Sequence, residues 1–296
     1  MNYFSVCEGI GAAHAALLPL GYRCVGVSEI DKYCNQLIEE KYEFKNYGDF
    51  TKWNKWTGEK EISLIIGGTP CQPFSVIGKR KGADDARADL TREFFRFVRW
   101  RAPSWFIWEN VPGVLSIDGG GYFRRMLSKI GECGYGVAWR VLDAQFFGVP
   151  QRRRRVYVVG CFGDPVRAGK VLFDTETVPV LAGQSTKTKS KDSRHDGDRY
   201  ENNGRTTGTL TTKNRMTSNM TDMMVVDRMN HHWRVRKLTP LECERLMGFP
   251  DGYTAGFSNH QRYKMLGNSF PVPVIRWIGE RILREEETLF ERKEEI

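Results

Sequence analysis

Short apolar runs, each stopped by a glycine, a proline or an acid, alternate along this chain with stretches of helical pattern. The first run, 3–7 (Tyr-Phe-Ser-Val-Cys), passes through a glycine turn into an Ala/Leu-rich stretch, which predicts a strand, a turn and a helix. Further strands are predicted over 23–28, 62–66, 105–108 and 156–159. Strands that alternate with helices indicate an α/β fold with a largely parallel sheet.

Polar side chains that can take part in catalysis or ligand binding lie at or just after the ends of these predicted strands. They are Glu8, Glu29, Cys71 and Glu109. Because ligands bind outside the carboxyl ends of the strands in such sheets, we expect the functional site at this edge.

The composition is that of a globular protein with a basic surplus. The chain has 296 residues, 40% of them hydrophobic, and its 45 Lys+Arg exceed its 36 Asp+Glu to give a formal net charge of +9. This composition excludes a disordered tail and suffices for a buried core. The surplus favours an anionic partner such as nucleic acid, although many cytosolic enzymes are mildly basic without one.

Cellular location is predicted from what the sequence lacks. No stretch approaches the ~20 apolar residues of a membrane-spanning helix, and the first residues do not resemble a secretion signal. The seven cysteines are odd in number and include no Cys-x-x-Cys pair, which argues against a disulfide framework and a zinc ribbon. We therefore expect a reduced, cytoplasmic protein with no membrane segment and no metal.

The first glycine turn favours a nucleoside-bearing cofactor. Gly9 and Gly11 let the backbone approach a ligand at a helix N-terminus, and Glu29 ends the second strand, where a ribose-binding carboxylate belongs. His14 occupies the place of the third glycine of the dinucleotide fingerprint, which argues against a dinucleotide. An ordinary tight turn is the alternative.

A stiff loop carries the candidate nucleophile. Cys71 stands between Pro70 and Pro73 after a predicted strand, and the two prolines fix the backbone around the thiol. A cysteine thiol is partly ionised at neutral pH and is a good nucleophile. Glu109 ends a neighbouring strand and offers a carboxylate. A buried structural cysteine and a solvated turn acid are the alternatives.

A run of four arginines, 152–155, precedes another predicted strand. Since side chains alternate along a strand, Arg153 and Arg155 would share one face and Arg152 and Arg154 the other. One pair is therefore placed to face the active cleft, and a basic surface patch is the alternative.

These segments together resemble the successive motifs of the cytosine-5 DNA methyltransferases, in particular the compact enzymes of bacteria and phages. The resemblance extends from about Tyr3 to Ile282 and rests on five segments in the family's order and spacing: 68–75 (Gly-Thr-Pro-Cys-Gln-Pro-Phe-Ser), 109–111 (Glu-Asn-Val), 151–155 (Gln-Arg-Arg-Arg-Arg), 236–250 and 267–273. It implies a Rossmann-like methyltransferase fold, with a mixed sheet, helices on both faces and a small loop- and strand-rich target-recognition domain. Residues 1–163 and 262–296 would form the catalytic domain, and 164–261 the target-recognition region and hinge.

The resemblance also implies a mechanism. Cys71 would add to carbon 6 of cytosine, Glu109 would protonate or hydrogen-bond ring nitrogen 3, Arg155 would hold the ring carbonyl, and Arg153 would support the nucleophile. The target base would be flipped out of the duplex, and residues 75–91 would form the loop that closes over the DNA.

By the same resemblance, S-adenosylmethionine is the methyl donor. Glu29 would bind the ribose, Ile30 would pack on the adenine and Asp49 would accept from the adenine amino group. The full set implied for the cofactor is Cys7, Gly9, Ile10, Gly11, Glu29, Ile30, Asp49, Phe50, Pro70, Leu90, Asn268 and Ser269. The chain departs from the family where Cys7 replaces a frequent Phe and Ala12 a frequent Gly.

Double-stranded DNA is the implied partner. Basic and polar residues of the closing loop and of the polar stretch 184–222 are the candidate contacts. They are Gln72, Ser75, Lys79, Arg80, Lys81, Thr209, Leu210, Lys213, Asn214 and Arg215. We further expect a monomer, with a cognate restriction endonuclease as a possible companion in the same system.

Three other functions fit parts of the sequence. An RNA cytosine methylase would use the same scaffold, but the long polar recognition segment favours duplex DNA. The intact set Cys71, Glu109, Arg153 and Arg155 argues against a catalytically inactive DNA-binding relative. The missing third glycine argues against a nicotinamide-dependent oxidoreductase.

Overall fold

A computed structural model describes residues 1–56, 61–70, 88–173, 224–229 and 232–294. Within these ranges the strands are β1 Asn2–Val6, β2 Arg23–Ser28, β3 Leu64–Gly68, β4 Trp105–Asn110, β5 Tyr135–Asp143, β6 Arg154–Phe162, β7 Met224–Met229 and β8 His232–Lys237. The helices are α1 Ala12–Leu17, α2 Lys32–Lys41, α3 Ala88–Arg101, α4 Gly121–Glu132, α5 Pro165–Phe173, α6 Pro240–Met247, α7 Asn259–Asn268 and α8 Val272–Glu294. Short 3₁₀ helices cover Leu18–Leu20, Phe50–Lys55, Pro112–Gly120 and Ala144–Phe147.

Six strands form one mixed sheet in the order β2-β1-β3-β4-β6-β5. The first four are parallel, whereas β6 runs antiparallel to both β4 and β5. The five strands predicted from apolar runs are confirmed. The apolar runs predicted a largely parallel sheet, and in this sheet only β6 reverses direction, since β5 runs the same way as the first four strands. The mixed sheet implied by the resemblance is confirmed.

Helices cover both faces of this sheet, as predicted, and each face has its own core. One core contains buried residues of α1, α2, α5 and α8, among them Leu17, Leu37 and Ile278. The other contains buried residues of α3 and α4, such as Phe94 and Phe123. The apolar positions Val274, Ile275, Ile278 and Ile282 predict a C-terminal helix over roughly 274–290, and α8 confirms it and is longer at both ends. No helix within the described ranges is both long and apolar enough to cross a membrane.

Part of the predicted target-recognition region packs into the catalytic core. Ala168, Val171 and Leu172 of α5 belong to the first core, as do Met247 of α6 and Tyr253 after it. Strands β7 and β8 pair only with each other in a separate antiparallel ribbon. Within the described residues, this ribbon is the part of 164–261 whose strands lie outside the main sheet.

Candidate active site

The carboxyl ends of β3 and β4 bring the strongest sequence candidates together. Gly68 of β3 lies opposite Glu109 of β4, and Glu109 lies opposite Tyr157 of the antiparallel β6. Side-chain alternation along β6 places Arg153, Arg155 and Tyr157 on the same face as Glu109. The edge predicted from the strand ends is therefore the edge where these side chains meet.

Glu109 and Arg155 form an ion pair at this edge. The Nε atom of Arg155 lies 3.1 Å from Oε1 of Glu109, and both side chains are largely buried. Burial raises the pKa of the Glu109 carboxyl, and the positive charges of Arg155 and Arg153 oppose that rise. A buried carboxyl with a raised pKa holds a proton more readily than an exposed one, which suits a proton donor.

Arg153 is buried on the same face and contacts a different part of the chain. Its Nη2 donates hydrogen bonds to the carbonyl oxygens of Gly267, at 3.1 Å, and Ser269, at 2.8 Å. The predicted alternation holds, since Arg154 is exposed and Arg153 is not. The link from the arginine run to the C-terminal segment was not predicted, because residues so distant in sequence give no local signal.

Gly68 allows two side chains to approach β3 closely. A Cβ atom at this position would lie 2.5 Å from Cε1 of Phe270 and 3.0 Å from Oε2 of Glu109. Because real Cβ atoms do not approach other atoms so closely, a glycine is needed here for Phe270 and Glu109 to meet the strand. The C-terminal segment thus closes against the end of β3.

The strand end before Cys71 is held by buried hydrogen bonds. Asn110 Nδ2 donates to the carbonyl of Thr69 at 3.3 Å, and Trp108 Nε1 donates to Oγ1 of Thr69 at 3.0 Å. The hydroxyls of Thr69 and Thr91 share a hydrogen bond of 2.7 Å. The predicted closing loop ended at 91, but residues 88–91 form the beginning of α3, so the loop is shorter than expected.

The glycine turn lies after β1 and adopts conformations that suit a ligand cradle. Cys7, Gly9 and Gly11 have φ angles of 54°, 65° and 86°. At Gly11 a Cβ atom would lie 2.8 Å from the Tyr42 ring and 2.9 Å from the Tyr253 hydroxyl, so the turn requires glycine. Ile10 is buried in the core, and its carbonyl accepts a hydrogen bond of 2.6 Å from Tyr253.

Glu29 faces this turn from the end of β2. Its Oε2 accepts a hydrogen bond of 2.7 Å from the amide of Gly9, and its Oε1 accepts from the amides of Ile30 and Asp31, both at 2.8 Å. Burial raises the pKa of Glu29, and these amides oppose the rise. The side chain of Ile30 is 73% exposed beside the carboxylate.

Asn46 was not predicted as functional, and it links Glu29 to Gly48, the residue that precedes the predicted cofactor residue Asp49. Its Oδ1 accepts from the amides of Glu29, at 3.1 Å, and Gly48, at 2.9 Å, and its Nδ2 donates to the Glu29 carbonyl. Asp49 follows Gly48 and caps the next 3₁₀ helix by accepting from the Thr51 amide. An asparagine between helix and turn carries no motif that would have revealed this role.

The other predicted cofactor residues differ in exposure. Phe50 is buried and packs against Phe97, with ring centroids 5.5 Å apart, so its ring belongs to the core. Pro70 and Asn268 are exposed, whereas Leu90 is half-buried and Ser269 is buried. Cys7 is half-buried, and burial raises the pKa of its thiol to about 12, so this thiol is neutral at physiological pH.

These residues fit S-adenosylmethionine. The carboxylate of Glu29 matches the two hydroxyl donors of a ribose, and the exposed Ile30 side chain next to it offers an apolar surface for an adenine. The backbone of the turn is open where Gly9 would carry a side chain, since a Cβ atom there would meet nothing within 4 Å. The turn can therefore accept a ligand at close range.

Two buried polar side chains near the site have no role in the mechanism that the resemblance implies. Both carboxyl oxygens of Glu8, and both amide atoms of Gln151, make no hydrogen bond within the described part of the chain. Burial raises the pKa of Glu8 to about 8. The motifs give no reason for a buried acid at this position, because its burial depends on how distant segments pack.

The predicted nucleophile and all predicted DNA contacts lie outside the described residues. They are Cys71, Gln72, Ser75, Lys79, Arg80, Lys81, Thr209, Leu210, Lys213, Asn214 and Arg215. Pro70, directly before Cys71, is the last described residue on that side.

The fold and the chain both have known relatives. EhMeth of Entamoeba histolytica matches with a TM-score of 0.69 and 18% identity, covering 96% of this chain and 98% of that one. The Dnmt2 methyltransferase of S. pombe matches with a TM-score of 0.69 and 20% identity, again covering 96% and 98%. The fold is thus that of the Rossmann-like, S-adenosylmethionine-dependent methyltransferases.

Sequence comparison narrows this class. The chain is 32% identical to the Type II methyltransferase M.BsuFI of Bacillus subtilis, with 97% of this chain and 74% of that protein covered. It is 28% identical to the Type II methyltransferase M.DsaV of Dactylococcopsis salina, with 96% and 86% covered. The model of the C-5 cytosine-specific DNA methylase family matches residues 1–177 and 166–284. The chain belongs to this family and transfers a methyl group from S-adenosylmethionine to carbon 5 of cytosine in DNA.

Proposed function

We propose that the enzyme methylates a cytosine flipped out of a specific duplex sequence, through a covalent bond between Cys71 and carbon 6 of the base. The observation that carries the proposal is the buried Glu109–Arg155 pair, which lies against Gly68 on the strand that leads to Cys71. A proton donor, a cation and a thiol would then surround one base.

Each residue has a defined step. Carbon 5 of cytosine is a poor nucleophile, so the Cys71 thiolate adds to carbon 6, and the electrons of the 5,6 double bond make carbon 5 nucleophilic. Glu109 donates its proton to ring nitrogen 3, and Arg155 donates hydrogen bonds to the ring carbonyl oxygen, which stabilises charge developing in the ring. S-adenosylmethionine supplies the electrophilic methyl group. A base then removes the proton on carbon 5, the bond from sulfur to carbon 6 breaks, Cys71 leaves as thiolate, and ring nitrogen 3 returns its proton to Glu109.

The residues around the glycine turn would hold the cofactor. Glu29 would accept from the ribose hydroxyls, Ile30 would pack on the adenine, and Asp49 would accept from its amino group. Asn268 and Ser269, at the end of α7, would contact the methionine part together with Pro70 and Leu90. Arg153 supports this assignment, because it binds the carbonyl of Ser269.

Recognition of DNA would come from the region between β6 and α6. Lys213, Asn214 and Arg215, close to Thr209 and Leu210, would read base edges. The basic residues 79–81 would contact phosphates, which fix register without reading sequence. M.BsuFI and M.DsaV are Type II methyltransferases by name. By analogy, we propose that this chain is a monomeric, cytoplasmic enzyme that acts alongside a cognate restriction endonuclease.

Labelled methyl transfer to duplex DNA and to tRNA tests the substrate, and transfer to tRNA alone would refute the proposal. Cys71→Ser should abolish turnover. Cys133 is a half-buried cysteine directly after the C-terminal end of α4, and Cys133→Ser should retain turnover. A duplex with 5-fluorocytosine at the target should trap an adduct with the wild type and not with Cys71→Ser, since fluorine cannot leave as a proton does. An active Cys71→Ser enzyme would show that the nucleophile is misassigned.

A further inference from the structure

Three buried residues connect the strand that leads to Cys71 with the helix that carries Leu90. Thr69, Thr91 and Trp108 are 3%, 1% and 0% exposed. The indole Nε1 of Trp108 donates to the Thr69 hydroxyl oxygen at 3.0 Å, and the hydroxyls of Thr69 and Thr91 share a hydrogen bond of 2.7 Å. We refer to the hydrogen-bonded pair Thr69 and Thr91 as the threonine bridge.

The threonine bridge joins segments that are far apart in the chain but adjacent in the proposed reaction. Thr69 directly precedes Pro70 and the loop that begins with Cys71, and Thr91 directly follows Leu90. Pro70 and Leu90 are both proposed to contact the methionine part of the cofactor. We call Thr69 and Pro70, which lead to Cys71, the nucleophile segment. One hydrogen bond between two buried hydroxyls therefore sets the spacing between this segment and the start of α3, which carries Leu90.

Trp108 fixes the bridge to the catalytic strand. It is next to Glu109 in β4, and since side chains alternate along a strand, the two point to opposite faces of the sheet. Glu109 pairs with Arg155 on one face, while Trp108 packs against Phe95 and holds Thr69 on the other. The main chain of β4 thus presents the proton donor and anchors the nucleophile segment at consecutive positions.

The hydrogen bond between Thr69 and Thr91 fixes the orientation of both side chains in addition to stabilising their packing. Buried hydroxyl groups must find partners or pay a desolvation penalty, so the bond restricts both threonines to one arrangement. A valine would fill the same volume without that restriction, and Asn110 Nδ2 would still hold the Thr69 carbonyl at 3.3 Å. Loss of the bridge would therefore loosen the alignment of the segment more than it would disrupt the fold.

We propose that Thr69, Thr91 and Trp108 are positioning residues that align the nucleophile segment with the methyl donor. The inference rests on the proposed function, because it assumes that Cys71 is the nucleophile. None of the three touches the reacting atoms in this assignment. They act through the position of the Thr69–Pro70 peptide.

Single-turnover methyl transfer to duplex DNA tests the inference, with the full chain and saturating S-adenosylmethionine. Thr91→Val should slow transfer by roughly 10- to 100-fold, the range expected when a reacting group is misplaced by up to about 1 Å. The KM for DNA should stay unchanged, because the bridge is buried away from the surface. Thr91→Ser retains the hydroxyl and should remain within about twofold of the wild type.

A matched pair of tryptophan variants separates positioning from stability. Trp108→Phe removes the donor to Thr69 and should slow transfer as Thr91→Val does. Trp105→Phe removes an indole hydrogen bond of 2.8 Å to Glu286 at the other end of the same strand, and should leave the rate unchanged. Thermal melting of all variants corrects each rate for the folded fraction.

The outcomes are distinct. A corrected rate of Thr91→Val equal to the wild type, or a Thr91→Ser variant as slow as Thr91→Val, overturns the inference. Cys71→Ser in the same assay tests the proposed function separately: if that variant transfers methyl groups, the nucleophile is wrong whatever the threonine variants do. Slow Thr91→Val and Trp108→Phe variants, with normal Thr91→Ser and Trp105→Phe variants and an inactive Cys71→Ser variant, support both.

Discussion

Arg153 donates a hydrogen bond of 2.8 Å from Nη2 to the carbonyl oxygen of Ser269, and a second, of 3.1 Å, to that of Gly267. This arginine lies beside Glu109 and Arg155 in the proposed base site, while Ser269 belongs to the proposed cofactor site. One buried guanidinium therefore connects the two sites. Both hydrogen bonds come from Nη2, and a lysine ammonium would end about one bond length short of that atom.

Arg153→Lys should weaken binding of S-adenosylmethionine and lower the methyl transfer rate together. The shorter lysine places its ammonium away from the Nη2 position and leaves the buried carbonyls poorly bonded, which costs about 1–3 kcal/mol. Calorimetric titration of the cofactor and steady-state kinetics measure the two effects. The exposed neighbour provides the control: Arg154→Lys should match the wild type in cofactor affinity. Unchanged affinity in Arg153→Lys would contradict the connection.

Glu109→Gln should retain cofactor binding and lose turnover. The amide has the shape of the carboxyl but no acidic proton for ring nitrogen 3, so kcat should fall by about 10²–10⁴-fold, the usual contribution of general acid catalysis. Stopped assays on duplex DNA give kcat, and equilibrium titration gives the cofactor Kd. A kcat within a few-fold of wild type, in a variant that binds cofactor normally, would remove Glu109 from the proposed role.

Gly68→Ala should harm both stability and activity. The new Cβ would lie 2.5 Å from Phe270 and 3.0 Å from the Glu109 carboxylate, so one of them must move. Overpacking of this kind costs about 1–3 kcal/mol in the free energy of unfolding. Urea unfolding measures it. Gly131→Ala, in α4, meets no atom within 4 Å and should be neutral or slightly stabilising, so an equal loss in both variants would show that the site is not tightly packed.

The free energy of unfolding should decrease as pH rises, because the Glu8 carboxyl titrates differently in the folded and unfolded states. Burial raises its pKa to about 8 from an ordinary value of 4.5, so between these values the folded state retains a proton that the unfolded state releases. The unfolded state is then favoured as pH increases, by up to about 1.4 kcal/mol per pH unit for one proton. Above about pH 8 both states are ionised and the dependence ends.

Glu8→Gln removes this titration. The difference in unfolding free energy between variant and wild type should therefore grow from pH 5 to pH 8, as followed by urea unfolding. Parallel curves for wild type and Glu8→Gln would mean that Glu8 titrates normally.

Glu29→Gln should weaken S-adenosylmethionine binding by about tenfold or more, because hydrogen bonds to a charged acceptor contribute about 1.5–3 kcal/mol each. Glutamine keeps only one of the two acceptor oxygens, so it loses the bond either to the Gly9 amide or to the Ile30 and Asp31 amides, and the turn itself would loosen. Titration of the cofactor without DNA isolates this effect. Glu39→Gln, an exposed acid on α2, should bind normally, and equal affinity of the two variants would exclude Glu29 from the ribose site.

The sequence alone was sufficient for five of the six strands of the main sheet and for the family. Apolar runs stopped by glycine or acid located five strands of the main sheet, and period-two alternation put Arg153 and Arg155 on one face, because both patterns depend only on neighbours in the chain. The order of short motifs supplied the reaction class, since those motifs record the chemistry that the site must perform.

The tertiary structure decided which residues meet. The reversal of β6 sets Tyr157 opposite Glu109, and the packing of distant segments gives Arg153 its carbonyl acceptors and Thr69 its partner Thr91. It also buries Glu8 beneath the turn and places Asn46 between Glu29 and Gly48. Such contacts join residues that no local pattern relates, because burial and long-range pairing depend on how the whole chain packs and not on the spacing of side chains along it.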